Sequence, residues 1–138
     1  MRILSGIPSW LQMYFEKLQK ASGKPVGEIF KNFNLLVYGG VSYAPYKNKF
    51  EKLIGRRVDS IEVYPASEGF FAFQDEQASS DLLLILNAGI FYEFISESDF
   101  LKLKYNRISI EDVKTGVNYV LIVSTNAGLW GYNTGDTV

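Results

Sequence analysis

Apolar side chains recur at helical spacing over residues 8–22, where Trp10, Leu11, Tyr14, Phe15 and Leu18 predict an amphipathic helix with an aromatic core face. Pro8 suits its first turn, and Gly23 suits its end because glycine accepts the left-handed backbone that closes many helices. A second short helix is expected over residues 26–32. Residues 35–38 then alternate as a strand and run into the pair Gly39-Gly40. Tyr46, Phe50, Leu53 and Ile54 restore helical spacing over residues 45–54, with Gly55 as the stop. The following strand, residues 60–64, is expected to end at Pro65. Strand, glycine turn, helix and strand in that order make a crossover unit of the kind that builds parallel sheets.

The pattern changes in the second half. Residues 70–73, 82–86, 90–95, 119–125 and 129–132 all read as strands, and residues 74–80 as a polar loop. Asn87-Ala88-Gly89 lies between two apolar runs and predicts a hairpin turn. Ser109 is expected to cap a short turn through Val113 by accepting a bond from an exposed backbone amide. The fold class is therefore α/β, a parallel β-α-β crossover followed by antiparallel strands. No repeat or linker interrupts it, and residues 1–138 read as one α/β unit.

Composition narrows the chemistry. A chain of 138 residues with 47% hydrophobic and 15% aromatic side chains can bury a substantial core. A formal net charge of -1 without runs of like charge argues against nucleic-acid or anionic-membrane partners. The apolar runs are strand-sized, far below the roughly 20 residues that span a bilayer. The chain has no cysteine, which excludes disulfides and thiolate chemistry and fits a cytoplasmic protein. It has no histidine either, which excludes the Ser/His/Asp triad and histidine-held metals. Activation of a carboxylate by ATP remains compatible, because the substrate's own carboxylate is the nucleophile and the protein positions reactants and neutralises phosphate charge.

Three segments offer that chemistry. In Val37-Tyr38-Gly39-Gly40-Val41-Ser42, a strand meets a glycine turn that lets a flat base or phosphate approach the main chain. The same residues also fit a plain strand-to-helix turn. In Tyr64-Pro65-Ala66-Ser67-Glu68-Gly69, an aromatic face, a hydroxyl and a carboxylate gather at a strand's carboxyl end, where parallel sheets place their sites. Glu68 is suited to Mg²⁺ and Ser67 to a phosphate oxygen, while the plainer reading buries Tyr64 and solvates Glu68. In Gly131-Tyr132-Asn133-Thr134-Gly135-Asp136, a carboxylate beside a glycine turn can accept both hydroxyl hydrogens of a ribose, although taken alone the segment fits a polar hairpin turn better.

Taken in order, these segments resemble a known family. Gly-Gly-Val-Ser, Tyr-Pro-Ala-Ser-Glu-Gly-Phe-Phe, Gly-Ile-Phe-Tyr-Glu-Phe-Ile, Ser-Thr-Asn-Ala-Gly-Leu-Trp and Tyr-Asn-Thr-Gly-Asp are similar to the auxin-responsive promoter family of acyl-acid amido synthetases. These are members of the adenylate-forming superfamily, with bacterial relatives. The resemblance runs from Ser5-Gly6-Ile7-Pro8-Ser9-Trp10 to Thr137.

The resemblance implies a part of the large amino-terminal domain of an adenylate-forming enzyme. Such an enzyme turns a small carboxylic acid and Mg-ATP into an acyl-adenylate, which the amine of an amino acid then attacks. Gly39, Gly40 and Ser42 would line the adenine, Tyr64 would pack on the base, and Ala66 and Ser67 would approach the nucleotide. Glu68 would be the catalytic magnesium ligand and Asp136 would hold the ribose. The family's phosphate loop would lie before Ser5 and its lysine-bearing domain after Val138, so the chain is expected to be an internal fragment, inactive alone. Apolar surface exposed by such a cut would favour a homodimer. Gly131 stands where the family often has arginine.

Trp10, Tyr14 and Phe15 are expected in the core, with an acyl pocket as the alternative. Phe70, Phe71, Phe91, Tyr92 and Phe94 are expected to fill sheet faces, and Lys47, Lys49 and Lys52 to form a solvated helix face. The main alternative function is a non-catalytic nucleotide-binding or interaction module of the same fold. A hydrolase on Ser67 or Ser42 lacks nucleophile-elbow spacing.

Overall fold

A computed structural model describes residues 1–138. Where the sequence reads as one α/β unit, the packing is of two compact units, Met1–Ala66 with Phe70–Leu84, and Ser67–Gly69 with Ile85–Val138.

The first unit holds a sheet in the order β1 (Ile3–Ser5), β2 (Leu35–Tyr38), β3 (Asp59–Ala66), β4 (Gly69–Phe73), β5 (Leu83–Leu84), with Gly69 itself counted in the second unit. β1, β2 and β3 are parallel, in the register Ser5 to Val37 and Tyr38 to Glu62, and β4 pairs antiparallel with β5. The crossovers are helical: α1 (Pro8–Ser22) and α2 (Val26–Ile29) join β1 to β2, and α3 (Lys47–Ile54) joins β2 to β3. Gly23 and Gly55 close α1 and α3 in left-handed conformation, as expected.

Leu11, Phe15 and Leu18 form the α1 stripe that packs on this core, together with Phe33, Leu36, Tyr38 and Phe50. Phe15 meets Phe33 and Phe50 edge to face, at 6.2 and 5.3 Å between ring centres. Trp10 corrects the sequence reading: it is 70% exposed, because the stripe that faces the sheet is centred on Leu11 and Phe15 and leaves Trp10 and Tyr14 on its flank. Lys47, Lys49 and Lys52 are exposed as expected, with Lys49 Nζ 2.5 Å from Glu16 Oε1.

The second unit is built on an antiparallel sheet of β6 (Ile90–Ser96), β7 (Tyr119–Thr125) and β8 (Tyr132–Thr137). Ile95, Val120 and Ile122 make a buried cluster against Phe100 of the short helix α4 (Glu97–Phe100). Ser96 caps that helix by accepting the Asp99 backbone N–H at 3.3 Å. Several expectations fail here for non-local reasons. β6 pairs with β7 and not with β5, so residues 87–89 connect elements without forming a hairpin. Residues 129–131 are not a strand: the chain turns at residues 126–127, the Thr125 N–H bonds to the Leu129 carbonyl at 2.8 Å, and the last strand starts at Tyr132. Ser109 does not cap through an amide; its hydroxyl lies 3.4 Å from Asp112 Oδ2. Phe91 and Phe70 are 62% and 44% exposed, whereas Phe71, Tyr92 and Phe94 are buried.

Candidate nucleotide site

The glycine turn is dictated by close backbone packing. Gly39 is buried at the end of β2, and a Cβ there would collide with the Val63 carbonyl oxygen and come within 3.0 Å of Pro65 Cδ. Gly40 follows with φ +82°, a conformation that side-chain-bearing residues adopt with strain. Together they lay the carboxyl end of β2 against the stretch of β3 that carries Tyr64.

Strand alternation puts Ser60, Glu62 and Tyr64 on one face of β3, the face that Tyr38 shares through its register with Glu62. The Tyr38 hydroxyl donates to Glu62 Oε2 at 3.2 Å, and its ring stacks on Tyr43 at 4.4 Å and 26°. Burial, reinforced by the Glu62 charge, pushes the Tyr38 phenol up, and burial also raises Tyr43, so both remain protonated donors at neutral pH. These residues border a polar cleft of about 310 Å³ whose lining includes Ser42, Lys47, Gln77 and Ser79. The loop after β4 closes one side of it: Gln74 donates to the carbonyls of Glu76 and Ser79 and accepts the Glu62 N–H, while Gln77 donates to the Ser60 carbonyl at 2.8 Å.

Of the residues singled out by sequence, Ser42 lines this cleft, whereas Gly39 and Gly40 follow the end of β2 and Tyr64 and Ala66 lie at the end of β3, outside its lining. The half-buried Tyr64 ring packs edge-on to Phe71, 5.1 Å away. Ser67 and Glu68 form the two-residue turn between β3 and β4, with Ser67 exposed and Glu68 partly so. Asp136 is exposed on β8 after Gly135, whose φ is +84°. Thr134 steadies it, accepting the Asp136 N–H at 3.3 Å and donating to the Leu121 carbonyl at 3.2 Å.

Sequence reasoning did not single out Tyr43 or Glu62. The period-two spacing of Glu62 from Tyr64 was the signal available for the latter. No group of three or more acidic, histidine or cysteine side chains is arranged to hold a metal ion. A single carboxylate such as Glu68 is compatible with Mg²⁺, which commonly takes one or two carboxylates and completes its octahedron with phosphates and water.

The fold has counterparts among solved structures. An open conformation of 2-hydroxyisobutyryl-CoA ligase, in complex with 2-HIB-AMP and CoA, aligns over 98% of this chain and 30% of its own, with 13% identity and a TM-score of 0.66. GH3.15 acyl acid amido synthetase aligns over 80% of this chain and 20% of its own, with 18% identity and a TM-score of 0.61. AtGH3.15 acyl acid amido synthetase in complex with 2,4-DB aligns over 81% and 19%, with 20% identity and a TM-score of 0.64. The chain therefore spans 19–30% of the length of these structures. No curated relative matches it in sequence.

These likenesses show the fold: a parallel sheet continued by antiparallel strands, shared with part of each of those structures. Residues 83–138 match the GH3 family central domain, the family of acyl-acid amido synthetases that the ordered motifs resemble.

Proposed function

We propose that the chain is part of an ATP-dependent ligase that adenylates a small carboxylic acid and passes the acyl group to the amine of an amino acid. The observation that carries this reading is the match of residues 83–138 to the GH3 family central domain. The glycine turn packed against β3 supports it, because ligands of open α/β sheets sit at the carboxyl ends of such strands.

In this reading Gly39, Gly40 and Ser42 line the adenine and Tyr64 packs on its face. Ala66 and Ser67 approach the nucleotide. Asp136 accepts the ribose hydroxyls in two charge-assisted bonds. Glu68 holds the magnesium, which supplies charge neutralisation at the phosphates. The donors assigned here serve adenine, ribose and metal, so the chain by itself is expected to bind ATP weakly and to turn nothing over.

Calorimetric titration with ATP, and with a non-hydrolysable acyl-adenylate mimic, tests the site. Binding is expected, and Asp136→Ala and Glu68→Ala should each weaken it at least tenfold, Glu68→Ala only when Mg²⁺ is present. Pyrophosphate exchange by an enzyme that includes these residues should fall in both variants. Unchanged binding and exchange in both would remove the residue assignments, and no nucleotide binding would favour a non-catalytic module of the same fold.

A further inference from the structure

Residues 101–107 of the second unit are all exposed, and they read Leu-Lys-Leu-Lys-Tyr-Asn-Arg. Leu101, Leu103 and Tyr105 are 75%, 76% and 56% exposed. Single apolar side chains are ordinary on a protein surface, whereas three at alternate positions, with lysines between them, form a patch. The formal net charge of -1, which argues against an anionic partner for the chain as a whole, is unevenly spread: this stretch holds two lysines and an arginine and no carboxylate. The acids that precede it, Glu97 and Asp99, lie in the first turn of α4.

The backbone holds this patch in place. After α4 the Leu101 and Lys102 N–H groups bond to the Glu97 and Asp99 carbonyls, each at 3.0 Å, the Leu103 N–H to Phe100 at 3.0 Å and the Lys104 N–H to Asp99 at 2.9 Å. The Tyr105 ring packs edge-on to Phe100 at 5.5 Å, and Phe100 packs on the buried cluster of Ile95, Val120 and Ile122. Leu103 has a φ of +59° and is the one residue other than glycine with a positive φ. Leucine is strained in that conformation and glycine is not. The turn thus keeps a leucine where its backbone favours glycine, and the side chain it keeps stands in water, so packing within the chain does not account for it. Arg107 is turned aside: its Nη1 bonds to Glu93 Oε2 at 3.1 Å, and its guanidinium lies over Gly131, where a Cβ would come within 3.0 Å of Nη2. Lys102 and Lys104 make no ion pair and are the free cations of the patch.

We propose that residues 101–105 are a docking surface for an anionic lipid bilayer. Leu101 and Leu103 enter the interface, Tyr105 rests at headgroup level as an amphipathic ring, and Lys102 and Lys104 meet the lipid phosphates. The size of the patch favours a bilayer over a protein, because a stable protein interface takes roughly 20–30 residues a side. A fluid interface needs no matching pocket, and a few inserted side chains with cations beside them bind it. The fixed turn presents its leucines without further ordering of the chain, which lowers the entropic cost of docking. None of the nucleotide contacts proposed above takes part, so this surface stands or falls separately from that site.

Co-sedimentation of the whole chain with vesicles tests the proposal. Vesicles of one part phosphatidylserine to three of phosphatidylcholine are expected to bind it at least tenfold more strongly than phosphatidylcholine alone, and high salt should weaken that binding. Replacing both lysines, Lys102→Gln with Lys104→Gln, should reduce binding on the mixed vesicles to the phosphatidylcholine level. Leu103→Gly removes the apolar side chain and relieves the backbone, so it should weaken binding at least fivefold without lowering the thermal midpoint. That midpoint separates a lost contact from a lost fold. No binding to the mixed vesicles would overturn the proposal. So would equal binding to both kinds of vesicle, or binding that survives Leu103→Gly undiminished, which would mark adsorption by charge alone. The comparison of the two vesicles uses the unaltered chain and decides the matter even if a variant fails to fold.

Discussion

Phe15, Phe33 and Phe50 of the first unit are completely buried beneath helices, whereas Phe91 and Trp130 of the second stand 62% and 82% exposed. The same residue class serves opposite ends. In the first unit aromatic rings interlock to hold helices on a parallel sheet, and a polar cleft lies beside β3. In the second, Val120, Leu121, Ile122 and Val123 are nearly inaccessible on β7, beside the buried rings of Tyr92, Phe94 and Tyr119. Its large exposed rings, Phe91 and Trp130, lie outside that core.

The largest test of this contrast lies on α1. Phe15→Ala should destabilise the protein by about 3–5 kcal/mol in urea unfolding, because it leaves a large cavity among close-packed rings. Trp10→Ala, five residues away on the exposed flank, should change stability by no more than about 0.5 kcal/mol. Comparable losses would break the distinction between buried and displayed aromatics.

Gly39→Ala comes next, with an expected loss of about 1–3 kcal/mol, since the added methyl must push β2 from the Val63 carbonyl. Nucleotide affinity should fall with it, and an unchanged affinity would detach the turn from the site.

Tyr38→Phe removes the hydrogen bond to Glu62 and should cost about 0.5–1.5 kcal/mol. It also carries a pH signature. The Tyr38 phenol is raised in the fold, chiefly by burial and then by Glu62, so its contribution is fully present below the unfolded phenol pKa of about 10. Above that pH the unfolded chain releases the proton first and stability declines. The unfolding midpoint should therefore drop on alkalinisation beyond about pH 10 and drop less in Tyr38→Phe. The smallest effect is expected for Lys49→Gln. Its pair with Glu16 is exposed on both sides, and thermal midpoints at low and high salt should not distinguish the variant from the parent.

Much of the first unit was legible locally. The boundaries of α1 follow from Pro8, Gly23 and the spacing of Leu11, Phe15 and Leu18. β2 follows from its apolar run into the glycine pair. β3 runs through Pro65 to Ala66, two residues beyond the expected end, and this is possible because β2 has already stopped at the level of Glu62. A proline beyond the paired stretch removes no ladder bond on that side. β1 was missed, since three residues offer too short a pattern to register. The order of Gly39-Gly40, Tyr64 to Glu68 and Tyr132 to Asp136 was sufficient to point to the family, whereas the Tyr38–Glu62 bond and the Tyr43 stack emerged only with the strands in register.

What the sequence determined by itself was therefore most of the local elements and a motif order that resembles a known family. Helical spacing, glycine stops and motif order are written in neighbouring residues. The tertiary structure decided which aromatics are buried, that β6 joins β7 rather than β5, and that Arg107 comes to rest over Gly131. Each of those outcomes depends on residues far apart in the chain competing for the same space and the same backbone bonds, and no local pattern carries the result of that competition.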